Sequence, residues 1–225
     1  MSKINHHPSP EQLTAFAAAG LPLSQGLAIS SHLEYCADCR RNVERLERLG
    51  GELFEALQPL DTTEALRSRV FAQLDGEPKE ATQQTLNTPE KLSKNPNIPR
   101  CLLQFIPEDY DDLVWKRVSF SIQSSELCRD ANGAKVELLR IKPGGSAATH
   151  THLGDEHTVI LTGSFSDEDG LYGAGSFITR NSRNKHTPVA TLDGECICLA
   201  ITEAPVQFTG FFSRWLNPFL RRSHA

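Results

Sequence analysis

Residues 144–163 read Gly144-Gly145-Ser146-Ala147-Ala148-Thr149-His150-Thr151-His152-Leu153-Gly154-Asp155-Glu156-His157-Thr158-Val159-Ile160-Leu161-Thr162-Gly163. In a strand, His150 and His152 point to the same face because side chains alternate with a period of two. Glu156 brings a carboxylate back to that face after a short turn. Gly163 permits a tight hairpin after the apolar run. His186 follows 30 residues beyond Glu156. Three imidazoles and one carboxylate suit zinc, iron, manganese or nickel, so the donor set does not choose the metal. His157 is read as a neighbour of the ligands or an exposed residue.

Working outward from this stretch, short apolar-rich segments at 102–106, 115–122, 135–141, 157–165 and 195–201 are punctuated by Gly, Pro, Asn and Asp. Many short strands predict a sandwich or barrel. Cys196 and Cys198 face one side of the last segment and read as small apolar lining. Sulfur's ease of oxidation gives them a second reading as redox or singlet-oxygen sensors. Cys101 and Cys128 have no partner spacing and read as core or loop residues. Residues 108–112 (Glu-Asp-Tyr-Asp-Asp) read as a solvated acidic loop without calcium-loop spacing. Toward the C-terminus, Phe208, Phe211, Phe212, Trp215, Leu216, Phe219 and Leu220 form an apolar stripe, with Pro218 within it. The stripe is expected to pack on the barrel or a second subunit. Arg214, Arg221 and Arg222 make a membrane-surface helix the alternative.

The first 75 residues have helical spacing. Ser9-Pro10-Glu11-Gln12 is a start signal with Ser9 as N-cap and Gln12 three residues on. Gly20 and Pro22 are expected to end that helix. A second helix is predicted over about 24–32. A third starts near Cys36 with Val43, Leu46, Leu49 and Leu53 on one face, ended or kinked by Gly50-Gly51. A fourth runs over about 62–74 with Leu66, Val70 and Leu74. The prolines at 78, 89, 96 and 99 mark 76–100 as a linker. The expected domains are therefore residues 1–75, helical, and 101–225, rich in strands.

His32-x3-Cys36-x2-Cys39 places three soft or borderline ligands within eight residues. Zinc takes four N/S ligands in a closed tetrahedral site, so a fourth is required, and His6 and His7 are the candidates. A small helical domain has little core, and a metal staple compensates for that.

Composition bounds the function. The 225 residues carry 23 basic and 28 acidic side chains, a net charge of −5, with 39% hydrophobic residues. That is a globular composition. A net acidic chain with no basic recognition helix argues against direct nucleic-acid binding and against a zinc-finger DNA regulator. No apolar run approaches the roughly 20 residues of a membrane span, and the N-terminus has no apolar core behind its charge. The chain is therefore expected to be cytoplasmic, with its six cysteines reduced and available for metal or redox chemistry.

The order His7 … His32-x3-Cys36-x2-Cys39 ahead of and within short helices resembles the zinc-binding anti-sigma domain. It is most similar to ChrR-type anti-sigma factors, in which a His just precedes the first helix. His7 best fits that position, with His6 one register away. Gly144-x5-His150-x-His152-x3-Glu156-x6-Gly163 is similar to the first cupin motif at every fixed position. The second motif opens at Gly175 and reaches His186. It departs from the general pattern at Asn181-Ser182-Arg183, where Pro-x-Gly is usual, and at Ala190, where Asn is usual. The resemblance covers nearly the whole chain in the same order. It implies an α+β chain of two domains: an all-α zinc-binding helical bundle, then an all-β cupin barrel. It further implies one Zn2+ at His7, His32, Cys36 and Cys39, and a second metal, zinc by expectation, at His150, His152, Glu156 and His186. The implied partner is an extracytoplasmic-function sigma factor. It would be held between helices, away from polymerase core, and released on oxidative stress, by singlet oxygen or organic peroxide, sensed by the cupin. No enzymatic activity is implied, and a homodimer of the free form stays open. The competing reading is a metal-dependent cupin dioxygenase or isomerase with an N-terminal interaction module.

Overall fold

The computed structural model describes residues 4–75, 95–204 and 206–208. Residues 76–94 of the expected linker 76–100 and the aromatic stripe beyond 208 lie outside the described residues. By contacts the chain divides into two compact units, residues 1–47 with 93–225, and residues 48–92.

In the larger unit, α1 (Pro10–Ala17) starts as its sequence predicts. Gln12 N–H donates to Ser9 Oγ at 3.2 Å and Ser9 N–H to Gln12 Oε1 at 2.9 Å, a reciprocal capping box. It ends at Ala17, ahead of Gly20, because Ala19 takes the left-handed conformation at φ 53°. The Gly20 amide reaches back to the Ala15 carbonyl at 2.8 Å, and the Ala19 amide to Phe16 at 3.0 Å. α2 (Leu23–Tyr35) runs a turn past His32, further than the sequence spacing predicts. α3 (Ala37–Glu55) follows after Cys36 and passes straight through Gly50-Gly51. Two glycines cost about 1 kcal/mol each in a helix interior, too little to break a ladder this long.

The smaller unit holds the end of α3 and then α4 (Glu64–Asp75). Leu49, Leu53, Phe54, Leu66, Val70 and Phe71 are all exposed there.

The β region packs two layers. One is a six-stranded antiparallel sheet, ordered β1 (Lys116–Arg117), β2 (Ile122–Arg129), β3 (Lys135–Ile141), β10 (Cys196–Thr202), β5 (Glu156–Thr162) and β8 (Phe177–Arg180). The other comprises β7 (Gly170–Gly173), β6 (Ser164–Asp167) and β9 (Val189–Ala190), with the pair β4 (His150–His152) and β11 (Val206–Phe208). The predicted strand at 102–106 is absent. Arg100–Leu102 is a 3-10 turn that continues through hydrogen bonds from Phe105 and Ile106 back to Leu102. Its apolar residues cover a neighbouring surface and do not alternate in a ladder. The segment 115–122 is likewise mostly loop, with only Lys116–Arg117 paired to β2.

Strand alternation sorts residues into two cores. Ile122, Ile141, Ile160, Phe165, Ile178, Cys196 and Cys198 lie between the sheets. Val136, Leu138, Val159, Leu161, Leu199 and Ile201 face the other way. There they pack with Leu27, Ala28 and Ile29 of α2 and with Leu102, Ile106 and Tyr110. The larger sheet is therefore buried on both faces, which is why β10 is buried at every position. The acidic segment 108–112 is only partly solvated. Asp109 caps the short 3-10 turn Tyr110–Asp112, and Tyr110 is buried with its hydroxyl donating to the Asn97 carbonyl at 2.8 Å. Among the described residues no helix is long and apolar enough to cross a membrane.

Candidate metal centres

His7 lies just before α1, His32 in the last turn of α2, Cys36 between α2 and α3, and Cys39 in the first turn of α3. Their ligand atoms all fall within 4.8 Å of one another. His7 Nδ1 is 3.5 Å from Cys36 Sγ and 3.4 Å from Cys39 Sγ. Zinc–ligand bonds of about 2.0–2.3 Å at tetrahedral angles put N and S donors about 3.5 Å apart. His32 Nδ1 donates to the Gly175 carbonyl at 2.6 Å, which leaves its Nε2 with a free lone pair. That Nε2 is buried and has no hydrogen-bond partner. A buried, unpartnered acceptor in a cluster of ligand atoms is accounted for by a bound cation. His6 takes no place in the cluster. Its ring packs on Tyr172, centroids 4.5 Å apart, and its carbonyl accepts from the Phe177 amide at 3.0 Å.

Without metal the electrostatics of this centre are those of a dry pocket. Burial, followed by the repulsion of His7, holds His32 at about 4, so the imidazole is the neutral ligand form. Burial, then the bond and charge of Cys36, push the Cys39 thiol to about 12. A bound cation inverts that second shift, because it stabilises thiolate directly.

The second centre brings together His150 and His152 from β4, Glu156 at the start of β5, and His186. Their ligand atoms also lie within 4.8 Å of one another. His186 Nε2 is 3.1 Å from both His150 Nε2 and His152 Nε2, and His152 Nε2 is 3.2 Å from Glu156 Oε2. His150 Nδ1 donates to the Ala148 carbonyl at 2.8 Å, and His186 Nδ1 to Asp167 Oδ2 at 3.3 Å. Both Nε2 atoms then present lone pairs toward each other at 3.1 Å, an arrangement that a cation between them would stabilise. The residues fit a metal.

Burial lowers all three imidazoles, His150 to about 4 and His152 to about 3, and the neighbouring histidines add to it for both. Burial pushes Glu156 up to about 8.

The backbone that carries His186 uses other means than the usual motif. Asn181 Oδ1 accepts from the Arg183 amide at 3.0 Å, and the Asn184 amide donates to the Asn181 carbonyl at 3.0 Å. This asparagine turn replaces Pro-x-Gly, and a paired bridge, His150 N–H to His186 O and its reciprocal at 3.2 Å each, fixes the register. His157 is neither exposed nor beside the ligands. It is buried on the opposite face of β5, with Nδ1 3.2 Å from Thr179 Oγ1.

The sequence spacing did not reveal the partners behind the ligands. Asp167 has a wholly buried carboxylate. It accepts from Arg180 Nη2 at 2.8 Å and from Tyr172 Oη at 3.0 Å, besides His186. An acid between Ser166 and Glu168 at the end of a short strand gives no pattern to find. Only its pairing across space with Arg180 marks it. Cys196 and Cys198 lie inside the barrel core, where burial pushes Cys196 up to about 12 and Cys198 well above its ordinary value. Cys101 packs at α2 with Sγ 3.3 Å from Ser31 Oγ, and Cys128 lies in β2.

Three imidazoles and a carboxylate between two antiparallel β layers, preceded by helices bearing a separate His/Cys cluster, define a cupin protein with an added helical module. Residues 105–205 match the family described as the ChrR cupin-like domain. The chain is 33% identical over 219 residues to the anti-sigma-E factor ChrR of Cereibacter sphaeroides, covering 97% of this chain and 99% of that protein. The fold is similar to a chain in the crystal structure of Rhodobacter sphaeroides SigE in complex with the anti-sigma ChrR. The TM-score is 0.74 at 32% identity, over 89% of this chain and 99% of that one. The chain belongs to the ChrR anti-sigma factor family, a family of regulators and not of enzymes.

Proposed function

We propose that this protein sequesters an extracytoplasmic-function sigma factor in the cytoplasm and releases it under oxidative stress, by singlet oxygen or organic peroxide. The observation that carries the sequestering role is the exposed apolar surface of the helical region. Leu49, Leu53, Phe54, Leu66, Val70 and Phe71 are large, apolar and exposed, more than scattered surface residues account for. A groove of about 520 Å³ beside Cys39, lined by Leu13, Asn42, Arg45 and Leu46 among others, offers further surface for a helix. In the free form the same apolar surface is available for self-association, giving a homodimer.

In this reading residues 1–75 grip sigma, 76–100 link, and 101–225 sense. Zn2+ at His7, His32, Cys36 and Cys39 staples the helical region. A second ion, zinc by preference with iron, manganese or nickel as rivals, sits at His150, His152, Glu156 and His186. That ion would supply a site whose ligand geometry responds to oxidation. Around it the chain's own groups keep three imidazoles neutral and a carboxylate in reserve. Cys196 and Cys198 are sheltered in the barrel core, so an oxidant reaches them only when the barrel opens.

The test is a tagged pull-down from the native host before and after oxidative stress, with mass spectrometry of the eluate. A sigma factor in stoichiometric amount that leaves after stress supports the proposal. Its absence under both conditions overturns it. His150→Ala and Glu156→Gln should impair the response to stress, with sigma still captured as long as the helical centre keeps its metal.

A further inference from the structure

One segment, residues 170–180, touches both centres. β7 belongs to one sheet and β8 to the other, so this segment crosses between the layers. At its ends, Tyr172 and Arg180 hold Asp167, and Arg180 Nη2 also donates to Tyr172 Oη at 2.7 Å. Asp167 in turn accepts from His186 Nδ1. In its middle, the Gly175 carbonyl accepts from His32 Nδ1, and the Phe177 ring stands edge-on to His32 with centroids 5.9 Å apart. The Phe177 amide and the Tyr172 ring both engage His6, the residue beside His7. Thus the segment that orients a ligand of the β centre also orients His32 of the helical centre and anchors His6, the residue beside His7.

We propose that residues 170–180 couple the two centres, so that an occupied His150/His152/Glu156/His186 site strengthens metal retention at His7/His32/Cys36/Cys39. Tyr172 and Asp167 are the positioning residues that carry the coupling. This rests on the metal reading of both centres given above. With Nε2 engaged, His186 Nδ1–H is a stronger donor to Asp167. A firmly held Asp167 fixes the Tyr172 hydroxyl and Arg180, and with them the turn that presents the Gly175 carbonyl. That turn has little slack, since a Cβ at Gly175 would lie 2.6 Å from both Ile4 Cδ1 and Tyr35 Cβ. By linkage the effect is reciprocal: a filled helical centre tightens the β centre by the same factor.

The experiment uses the full chain loaded with cobalt(II) or zinc. Thiolate-to-cobalt absorption reports the helical centre alone, because only that centre contains sulfur ligands. Release from it to a chelator is timed in wild type, His150→Ala, Tyr172→Phe and the double variant. Tyr172→Phe removes one hydroxyl and keeps the ring. His150→Ala should speed release from the helical centre about tenfold, within the usual range for coupled sites. In the Tyr172→Phe background the same substitution should change it by less than about twofold. Glu156→Gln, nearly isosteric, weakens the β centre with less risk to folding and must shift release in the same direction. A release rate indifferent to His150→Ala and Glu156→Gln, in wild type that binds two metals, overturns the coupling alone. An equal effect with and without the Tyr172 hydroxyl overturns the assigned route. Fewer than two metals per wild-type chain overturns the metal reading, and the coupling with it.

Discussion

Gly175→Ala tests how closely α2 is fitted to the β region. Gly175 sits at φ +85°, where an L side chain is strained by about 1–2 kcal/mol. The added methyl would also meet Ile4 Cδ1 and Tyr35 Cβ at 2.6 Å and Tyr35 Cγ at 3.1 Å. Tyr35 cannot retreat freely, because its hydroxyl donates to the carbonyls of Asn97 and Leu161, each at 3.1 Å. Overpacking of that kind costs about 1–3 kcal/mol more. Together these give about 2–5 kcal/mol, and each kcal/mol lowers Tm by about 2–4 °C in a chain of this size. Gly133 supplies the control, with φ +84° and nothing within 4 Å of a built Cβ. Gly133→Ala should cost the backbone strain alone. Thermal unfolding of both variants by circular dichroism separates the steric part as their difference. Gly175→Ala should also release the helical-centre metal faster, since the displaced carbonyl no longer holds His32 Nδ1, whereas Gly133→Ala should not. Equal Tm losses in the two variants would refute the claim that α2 is packed hard against this turn.

Cys36→Ala should remove one metal per chain and weaken sigma capture by about a hundredfold or more, because ion binding there is folding free energy for the helical region; metal analysis and a capture titration check it. Asp167→Asn should lower metal affinity at the β centre about 10- to 100-fold by loosening His186, read by chelator competition. In metal-free protein, Glu156 is raised from 4.5 to about 8, so its contribution is full below 4.5 and is lost as pH rises through 8. His32 and His150 at about 4 and His152 at about 3 are lowered from 6.5, so their contributions are full above 6.5 and are lost as pH falls toward 4. Urea midpoints of the chelated protein should therefore peak near pH 6.5, and a flat profile from pH 5 to 8 would contradict these assignments.

The two residue clusters are legible because their information is local. His150-x-His152 needs only the period of a strand, and His32-x3-Cys36-x2-Cys39 only a helix end followed by a helix start. His7 over His6 was a choice of register, which the geometry makes through the distances to the two thiols. The capping box at Ser9 was equally local. Errors arose where tertiary contacts decide. The segment 102–106 has apolar residues enough for a strand, yet its backbone closes on itself as a turn beneath α2. His157 adjoins Glu156 in sequence, but adjacent strand residues face opposite ways, which buries it away from the cluster. The partners of the ligands, Asp167, Tyr172, Arg180 and the Gly175 carbonyl, meet only when chain segments distant in sequence are folded together.

The same limit explains how the helices relate to the barrel. Composition divides the chain near residue 75, but the contacts join residues 1–47 to the β region. One piece of sequence pointed there. An antiparallel sheet with one wet face alternates apolar and polar residues, whereas residues 196–202 read Cys-Ile-Cys-Leu-Ala-Ile-Thr. The smaller members, Cys196, Cys198 and Ala200, alternate with Ile197, Leu199 and Ile201, which face the helices. A sheet patterned in this way needs a cover on both sides, and α2 with the segment 98–110 supplies the outer one. The two residue clusters share a sheet, with His150, His152, Glu156 and His186 at its inner face and His32 against its outer face, where the Phe177 ring of β8 packs on it. Any coupling between metals bound there would run through this packing and not across a hinge.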